Sequence, residues 1–284
     1  MSFLPVFRVK HHLAMISLAC GLSLLSAVAS ALEIKQQQFN MTPPGAGEIQ
    51  IEPLLTGEIP EVETTHITIA GPAEFSDSAS EEHAIVLLFV DGQGTLQYQG
   101  ENHEIIAETI AMTLSTDEVT VKVAEGNILH ALVVRKQYSE QDLEDMKSFE
   151  ARKSGGIYFK HFTDCESYKE AIKSPKTTSR TVLPKDYISR VAMGTVETTG
   201  PDEVGAHRHA MLDQLFLGLT KNDSIVIADD TEAPFPEFSL LHIPLGSLHG
   251  VRVEDGKRMY YMWMDFFLTK EGEEWLKTHK PDTK

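Results

Sequence analysis

Residues 205–217 read Gly-Ala-His-Arg-His-Ala-Met-Leu-Asp-Gln-Leu-Phe-Leu, and residues 244–249 read Pro-Leu-Gly-Ser-Leu-His. Side chains two positions apart in an extended strand leave the same face, so His207 and His209 can converge on one point. The second segment supplies a third imidazole, His249, after a tight turn. Imidazole is the commonest protein ligand for borderline divalent metals, so the two segments together predict a metal site.

The same two segments resemble the two sequence motifs of the cupin superfamily. The first family motif is His-x-His followed three or four residues later by a Glu that leads into an apolar strand, and the second is Pro-x-Gly-x-x-His. The resemblance covers the chain from about Arg190 to Leu268. It implies a double-stranded β-helix, a jelly-roll-like barrel that holds one divalent transition metal (Zn, Mn, Fe, Ni or Co) inside.

The sequence departs from the family pattern at the glutamate, where it offers Asp213 and Gln214. If one strand ran unbroken from His209, its parity would turn Asp213 inward; if a loop intervenes, Gln214 heads the next strand and can face the metal. We favour Gln214, because in the family the ligand stands directly before the apolar strand. The predicted ligands are therefore His207, His209, Gln214 and His249.

The amide has a chemical consequence for the predicted site. Three neutral imidazoles and a neutral amide leave the charge of a divalent ion uncompensated, which makes the ion a stronger Lewis acid toward a bound carbonyl, enol or carboxylate. This favours isomerase or lyase chemistry over activation of dioxygen. Some cupins use Gln at this position, among them the enzyme that opens unsaturated monouronates, whose motif spacing this sequence resembles.

The first 31 residues are predicted to be an export signal. Arg8 and Lys10 form a basic start, an apolar run covers residues 13–29, and Ala29-Ser30-Ala31 offers an A-x-A cleavage site. An uncleaved membrane anchor is the alternative, and the small residues that end the segment count against it. We therefore expect a periplasmic or secreted protein with no stable membrane span after processing.

The charge balance bears on the class of binding partner, and the cysteine count bears on disulfide bonding. The chain carries 25 Lys and Arg against 42 Asp and Glu, a net charge of −17, which becomes −19 once Arg8 and Lys10 leave with the export signal. This balance opposes nucleic-acid binding, because phosphate contacts need clustered cations. Removal of Cys20 leaves Cys165 as the single cysteine, so the exported protein has no internal disulfide and depends on its apolar core.

The predicted fold is all-β, with two tandem cupin barrels and a few connecting and C-terminal helices. Strands that are short and regularly spaced, bounded by Gly and Asp, are typical of sandwiches and barrels. The expected division is an export signal (1–31), an N-terminal arm (32–80), a degenerate cupin barrel (81–136), a helical linker (137–180), a metal-binding cupin barrel (181–268), and a C-terminal helix and tail (269–284).

The predicted first barrel contains strands at 84–90 and 95–98, joined by a turn at 91–94. It resembles a cupin barrel that has lost the metal motif. Glu82, His83 and His103 are accordingly expected to be surface or packing residues.

The predicted linker contains two helices. Residues 139–142 resemble a capping box ahead of a helix over 143–153, and Thr163 can cap a second helix over 166–172. Both helices are expected to pack on the barrel flanks without a functional role.

An aromatic strand over residues 259–267 supplies the other candidate site residues. Tyr261, Trp263 and Asp265 share one of its faces, which we expect to line the cavity. Tyr261 or Asp265 could then move a proton, and Trp263 could stack on a substrate ring. Arg190, on a neighbouring strand, is expected to bind a substrate carboxylate, because a guanidinium matches it bidentately.

These features predict an exported bicupin that is a metal-dependent isomerase or lyase acting on a small polar organic acid or a sugar-derived substrate. Two alternatives stay open. One is a non-catalytic bicupin that binds a metal or metabolite or has a structural role, and the other is an Fe- or Mn-dependent dioxygenase or oxidase. The resemblance also implies a homodimer, because cupin barrels often pair through strand exchange.

Overall fold

The computed structural model describes residues 33–153, 155–209 and 211–276. The predicted export signal lies outside these residues. The described chain is built mainly of β-strands, with three short α-helices and one 3₁₀ turn. None of its helices has the length and apolar character needed to span a membrane.

The described chain opens with β1 (Lys35–Gln38), which pairs with a strand of the C-terminal barrel. The strands of the N-terminal barrel follow: β2 (Ile49–Leu54), β3 (Val62–Ala70), β4 (Ala73–Ser78), β5 (His83–Tyr98), β6 (Glu101–Ile106), β7 (Thr109–Thr113), β8 (Glu118–Val123), β9 (Ile128–Gln137) and β10 (Ile157–His161). Its larger sheet has the order β10-β7-β5-β9-β3-β2, and its smaller sheet joins β4, β8, β6 and the end of β5.

Two expectations for this barrel need correction. Strands β2, β3 and β4 come from the predicted arm, so only residues 33–48 run outside the barrel. The predicted turn at 91–94 is an unbroken part of β5. Gly92 has a φ of +90°, and a Cβ there would overlap the carbonyl group of Ile128. The glycine thus lets β5 bend and pass from the larger sheet into the smaller one.

The connection between the barrels contains α1 (Glu140–Met146), α2 (Glu150–Lys153), a 3₁₀ turn (Phe162–Asp164) and β11 (Ser167–Tyr168). The capping box is present, because the Asp142 amide donates to Ser139 Oγ at 3.1 Å and the Ser139 amide donates to Asp142 Oδ2 at 2.9 Å. The predicted second helix is wrong. Ser167 and Tyr168 pair with the next strand instead, and tertiary pairing overrides the weak local helix preference.

The C-terminal barrel completes the chain. Its strands are β12 (Thr178–Leu183), β13 (Val191–Thr199), β14 (Asp202–Arg208), β15 (Leu212–Gly218), β16 (Asp223–Ala228), β17 (Thr231–Pro236), β18 (Ser239–Ile243), β19 (Leu248–Val253) and β20 (Arg258–Phe267), followed by α3 (Lys270–Leu276). The larger sheet has the order β1-β18-β15-β20-β13-β12-β11, and the smaller sheet has the order β14-β19-β16-β17.

The larger sheets of the two barrels pack against each other through a shared apolar core. Alternation along β20 shows how one strand serves two purposes: Met262 and Met264 lie in the core between the barrels, while Tyr261 lies in the interior of the C-terminal barrel. On β9, Leu132 faces the core between the barrels and Val133 faces the interior of its own barrel. This period of two leaves the barrel interiors as the places where chemistry can differ.

Candidate metal centre

Three histidines converge inside the C-terminal barrel. Strands β14 and β19 are antiparallel neighbours, and their register places His207 opposite His249 after an irregularity in β14 that follows Val204. His209 follows at the end of β14. All three imidazoles are buried, and one ligand nitrogen from each lies within 4.8 Å of the other two. The predicted convergence is therefore present, and this spacing suits a single ion.

Hydrogen bonds fix the tautomer of two of these imidazoles. His207 Nδ1 lies 2.8 Å from the Gly205 carbonyl, and His249 Nδ1 lies 3.2 Å from the Ser247 carbonyl. A carbonyl only accepts, so each Nδ1 carries the proton and each Nε2 carries the lone pair. Burial and the neighbouring His207 lower the pKa of His249 to about 3, so this imidazole is neutral, the form that binds metals.

Gln214 lines the same cavity as His207 and His209 and carries an amide oxygen that could act as a donor. Strand β14 ends before β15 begins, so the strand is broken as the Gln214 interpretation requires. The Gln214 amide nitrogen donates to Asp265 Oδ1 at 2.6 Å, which leaves its carbonyl oxygen facing the cavity. Asp213 lies 3.4 Å from His242 Nε2, and it is not among the residues that line the cavity.

The residues present fit a divalent transition metal. Gln214 Oε1 and His249 Nε2 are both buried, and among the described residues neither has a hydrogen-bond partner. A buried polar atom without a partner costs free energy, and a bound ion would satisfy both atoms at once. Three nitrogens and one oxygen form a suitable donor set.

The cluster lies on the wall of a cavity of about 240 Å³. Tyr261, Trp263 and Asp265 all line it, as the alternation along β20 predicted. Trp263 lies directly over Gly194 on β13, where a Cβ would overlap the indole ring. The glycine is therefore needed to seat this side chain.

The two candidate proton carriers are strongly shifted. Burial raises the pKa of Asp265 to about 7, against the hydrogen bond from Gln214 and with the help of Glu170. Burial also raises the pKa of Tyr261 well above its usual value. Tyr261 is thus a hydrogen-bond donor at neutral pH, and Asp265 is the group better suited to exchange a proton.

Arg190 is held away from the cavity by other partners. Its guanidinium donates to Asp142 Oδ1 and Oδ2 at 2.7 and 2.6 Å and to Glu61 Oε2 at 2.9 Å. Burial opposes ionisation of Asp142, yet these hydrogen bonds hold its pKa well below the usual range. Arg190 does not line the cavity, so its guanidinium joins parts of the fold instead of binding a substrate.

The sequence reasoning missed a segment that crosses the cavity. Tyr168, Glu170, Ala171, Ile172 and Lys173 line it, although this stretch was expected to be a helix on the barrel flank. The Gly205 amide donates to the Ile172 carbonyl at 2.8 Å, which ties the segment to β14. No motif marks these residues in the sequence. Only the placement of a Lys and a Glu just ahead of the barrel could have indicated them.

The first barrel behaves as its lack of a motif suggested. His83 Nδ1 lies 2.7 Å from Ser80 Oγ, and the His103 ring packs at 5.1 Å from Phe159. Within the described ranges, the three histidines of the C-terminal barrel form the single cluster of three or more residues able to hold a metal.

Sequence comparison finds neither a matching family model nor a matching curated protein. Solved structures do match. A cupin 2 conserved barrel domain protein from Leptotrichia buccalis has a TM-score of 0.58 at 13% identity, with 84% of this chain and 98% of that chain covered. A variant of oxalate decarboxylase from Bacillus subtilis has a TM-score of 0.56 at 9% identity, covering 86% and 81%.

A globulin has a similar fold. The 7S globulin of Momordica charantia has a TM-score of 0.56 at 10% identity, and 83% of each chain is covered. Likeness at these identities concerns the fold, which an enzyme and a globulin share. The function must be argued from the site.

Proposed function

Because the chain has the cupin fold in two tandem barrels, one of which carries a three-histidine cluster, we propose that it is a metal-dependent isomerase or lyase. Its substrate is a small polar organic acid or a sugar derivative. The basic and apolar pattern of residues 1–31 supports export of the protein to the periplasm or the exterior.

The observation that carries the proposal is the pair of buried atoms without partners, Gln214 Oε1 and His249 Nε2, beside the two other imidazoles. A purely structural histidine cluster would satisfy its polar atoms through hydrogen bonds. Here His249 Nδ1 donates a hydrogen bond to the Ser247 carbonyl, which orients Nε2 toward the other imidazoles. The arrangement is that of a ligand set held in place by the strands.

Groups able to move a proton lie beside this ligand set. A bound divalent ion supplies Lewis acidity toward a carbonyl or enolate oxygen of the substrate. Asp265 Oδ1 accepts a hydrogen bond from the Gln214 amide, and the residue lines the cavity. Its carboxyl group could therefore accept or return a proton at the substrate carbon next to that carbonyl. Tyr261 and Trp263 line the cavity from the same strand face, where the hydroxyl can donate a hydrogen bond to a substrate and the indole ring can stack on it.

The cavity size limits the substrate. A volume of about 240 Å³ lies below the range of roughly 300–1,000 Å³ typical of pockets for drug-sized ligands. A monosaccharide acid or a smaller hydroxy or keto acid suits this space better than a polymer or a nucleotide.

Two measurements test the proposal. The chain from Leu32, purified without chelators, should contain close to one equivalent of a transition metal by elemental mass spectrometry, and the double variant His207→Ala with His249→Ala should contain none. The metal-loaded protein should then convert an unsaturated uronate, or a member of a panel of hydroxy and keto acids, with the product identified by NMR. A metal-loaded protein that leaves the whole panel unchanged would contradict the assignment as an enzyme.

Binding without turnover is the second candidate function. The observation in its favour concerns the groups that could act as a base. The raised pKa of Tyr261 keeps its hydroxyl protonated, so Asp265 is the one group with a shifted pKa on the described cavity wall that could accept a proton. Saturable binding of an acid that NMR recovers unchanged would support this function.

A further inference from the structure

We propose that Lys173 is the residue that binds the carboxylate of an anionic ligand in the cavity, and that the ligand displaces Glu170, which forms an ion pair with the lysine in the free protein. The identity of the ligand as a small organic acid rests on the proposed function. The binding step itself needs no metal and is tested without one.

The cavity contains one obvious cation. Lys173 is the only Lys or Arg among the described residues that line it. Its side chain is 6% exposed, whereas that of its partner Glu170 is 38% exposed. The Lys173 ammonium forms an ion pair with Glu170, donates to Ser179 Oγ at 3.0 Å and lies 5.6 Å from the centre of the Tyr168 ring.

A buried ammonium is costly, so this placement calls for a reason. Lysine is almost never fully buried unless it is paired, and replacing such a pair by apolar side chains is often neutral or stabilising. Burial lowers the pKa of Lys173, and the neighbouring Glu170 opposes that shift. Because Lys173 is the one described cation that lines the cavity of this acidic protein, it offers an anion a positively charged partner.

The backbone around Lys173 is fixed to the strand that carries the histidines. Lys173 forms a bridge with Val204 on β14, and the Ser174 hydroxyl donates to Asp202 Oδ2 at 2.7 Å. Thr177 Oγ1 donates to the same oxygen at 3.1 Å. The ammonium is therefore presented from a rigid support, which lowers the entropy cost of binding a ligand.

The partner of Lys173 is suited to exchange. Glu170 is the more exposed member of the pair, so its carboxylate can return to water at small cost. An ammonium has three donors, and Ser179 uses one of them. A ligand carboxylate can take the place of Glu170 without leaving the buried charge unpaired.

The test uses D-galacturonate and D-galactose as probes, because they differ in the carboxylate alone. The chain contains two tryptophans, so a Trp275→Phe background makes Trp263, in the cavity wall, the source of the fluorescence signal. Metal-free protein should respond to galacturonate more strongly than to galactose. Lys173→Met should weaken galacturonate binding at least tenfold, and Lys173→Arg should retain most of it.

A variant of Glu170 makes the test specific to the exchange of carboxylates at Lys173. Glu170→Gln removes the competing carboxylate and should tighten galacturonate binding, the opposite direction from Lys173→Met. Lys176→Met changes an exposed lysine of the same segment and should have no effect. Equal binding by Lys173→Met and wild type, equal weakening by Glu170→Gln, or no response of the wild type to galacturonate would each overturn the proposal. Lack of turnover by metal-loaded protein would count against the enzyme alone.

Discussion

In the N-terminal barrel, Val119 on β8 pairs with Asp77 on β4; in the C-terminal barrel, the strands in the same places pair His249 with His207. The larger sheets differ in the same way. Ile85 pairs with Arg135 on β5 and β9, whereas Gln214 pairs with Asp265 on β15 and β20. The two barrels thus have the same strand pairing and different side chains at the same inward positions.

The consequences for the interiors are large. Arg135 forms an ion pair with Asp77, and apolar side chains fill the rest of the N-terminal barrel. The space that remains beside Asp77 and Val119 is about 10 Å³, against about 240 Å³ beside the histidines. The barrel itself therefore does not create a site. A few inward positions decide whether it is a packed core or a ligand cavity.

Each barrel also contributes buried histidines, and their hydrogen bonding differs. His66 and His130 lie 3.1 Å apart on the outer face of the N-terminal barrel, with Thr68 Oγ1 at 3.1 Å from His130 and the Phe39 ring stacked on His66. These nitrogens satisfy one another, whereas His249 Nε2 lacks a partner among the described residues. His66 and His130 therefore share a structural hydrogen bond, whereas His249 Nε2 is left able to bind a ligand.

The largest expected effect comes from making the second barrel resemble the first at one position. His249→Val introduces the residue found at Val119 and removes one of the four donors. Metal affinity should fall by more than the roughly 10–100-fold typical of changes behind the ligands, so elemental analysis should find no bound metal. His242→Gln is the matched control, because His242 contacts Asp213 and Glu58 outside the cluster. Retained metal in His249→Val would remove this residue from the ligand set.

The next effect concerns acid stability. Burial, with the help of His130, lowers the pKa of His66 to about 4 from 6.5, so the unfolded chain takes up a proton at a higher pH than the native chain does. Stability is therefore lost as the pH falls from 6.5 to 4, by up to about 3 kcal/mol. Urea denaturation at pH 7.5 and 4.5 measures this loss, which His66→Asn should reduce. The prediction would be contradicted if His66→Asn lost as much stability between the two pH values as wild type does. It would also be contradicted if the control His83→Asn reduced the loss as much as His66→Asn does.

A smaller effect is expected where the barrels differ beneath Trp263. Gly194 pairs with Trp263, while the same place in the N-terminal barrel pairs Thr65 with Val133. In Gly194→Ala the new Cβ would overlap both the indole ring and the Arg180 backbone carbonyl, so both must shift and the protein should be destabilised by about 1–3 kcal/mol, as overpacking does. Metal content should persist, because the ligands lie on other strands. Thermal denaturation and elemental analysis of the variant check both parts, and Gly45→Ala, at an exposed position where a Cβ would meet only the end of the flexible Glu48 side chain, is the control.

Local patterns in the sequence predicted the parts of the site that depend on local geometry. His207 and His209 follow from alternation along one strand, and the inward face of β20 follows from the same period. The break between β14 and β15, on which the Gln214 interpretation depends, also follows from the order of elements, while the role of Gln214 as a ligand stays a prediction. Short-range rules of this kind survive folding because the strand imposes them.

The missed features depend on contacts between distant segments. Ser167 and Tyr168 form a strand because β12 offers them hydrogen-bond partners, and nothing within residues 166–172 encodes that neighbour. Arg190 lies on the expected side of the motif, but Asp142 and Glu61, far away in sequence, determine where its guanidinium lies. Strands β2 to β4 were assigned to the arm for the same reason, since the pairing of β3 with β9, of β4 with β8 and of β2 with β3 sets their structure.

The smallest expected effect tests whether the crossing segment depends on one carboxylate. Asp202 pairs with Val253, and the corresponding pair in the first barrel is Ala73 with Val123, so the first barrel has no carboxylate at this position. Asp202→Ala removes the acceptor of the Ser174 and Thr177 hydroxyls, so amide hydrogen exchange in residues 168–177 should accelerate about tenfold, equivalent to about 1.4 kcal/mol. Metal content should not change. Asp223→Ala, which removes an exposed partner of Lys257, should leave the exchange of this segment as it is. Unchanged exchange in Asp202→Ala would mean that the backbone contacts with β14 hold the segment alone, and that the two barrels differ there in chain path and not in this side chain.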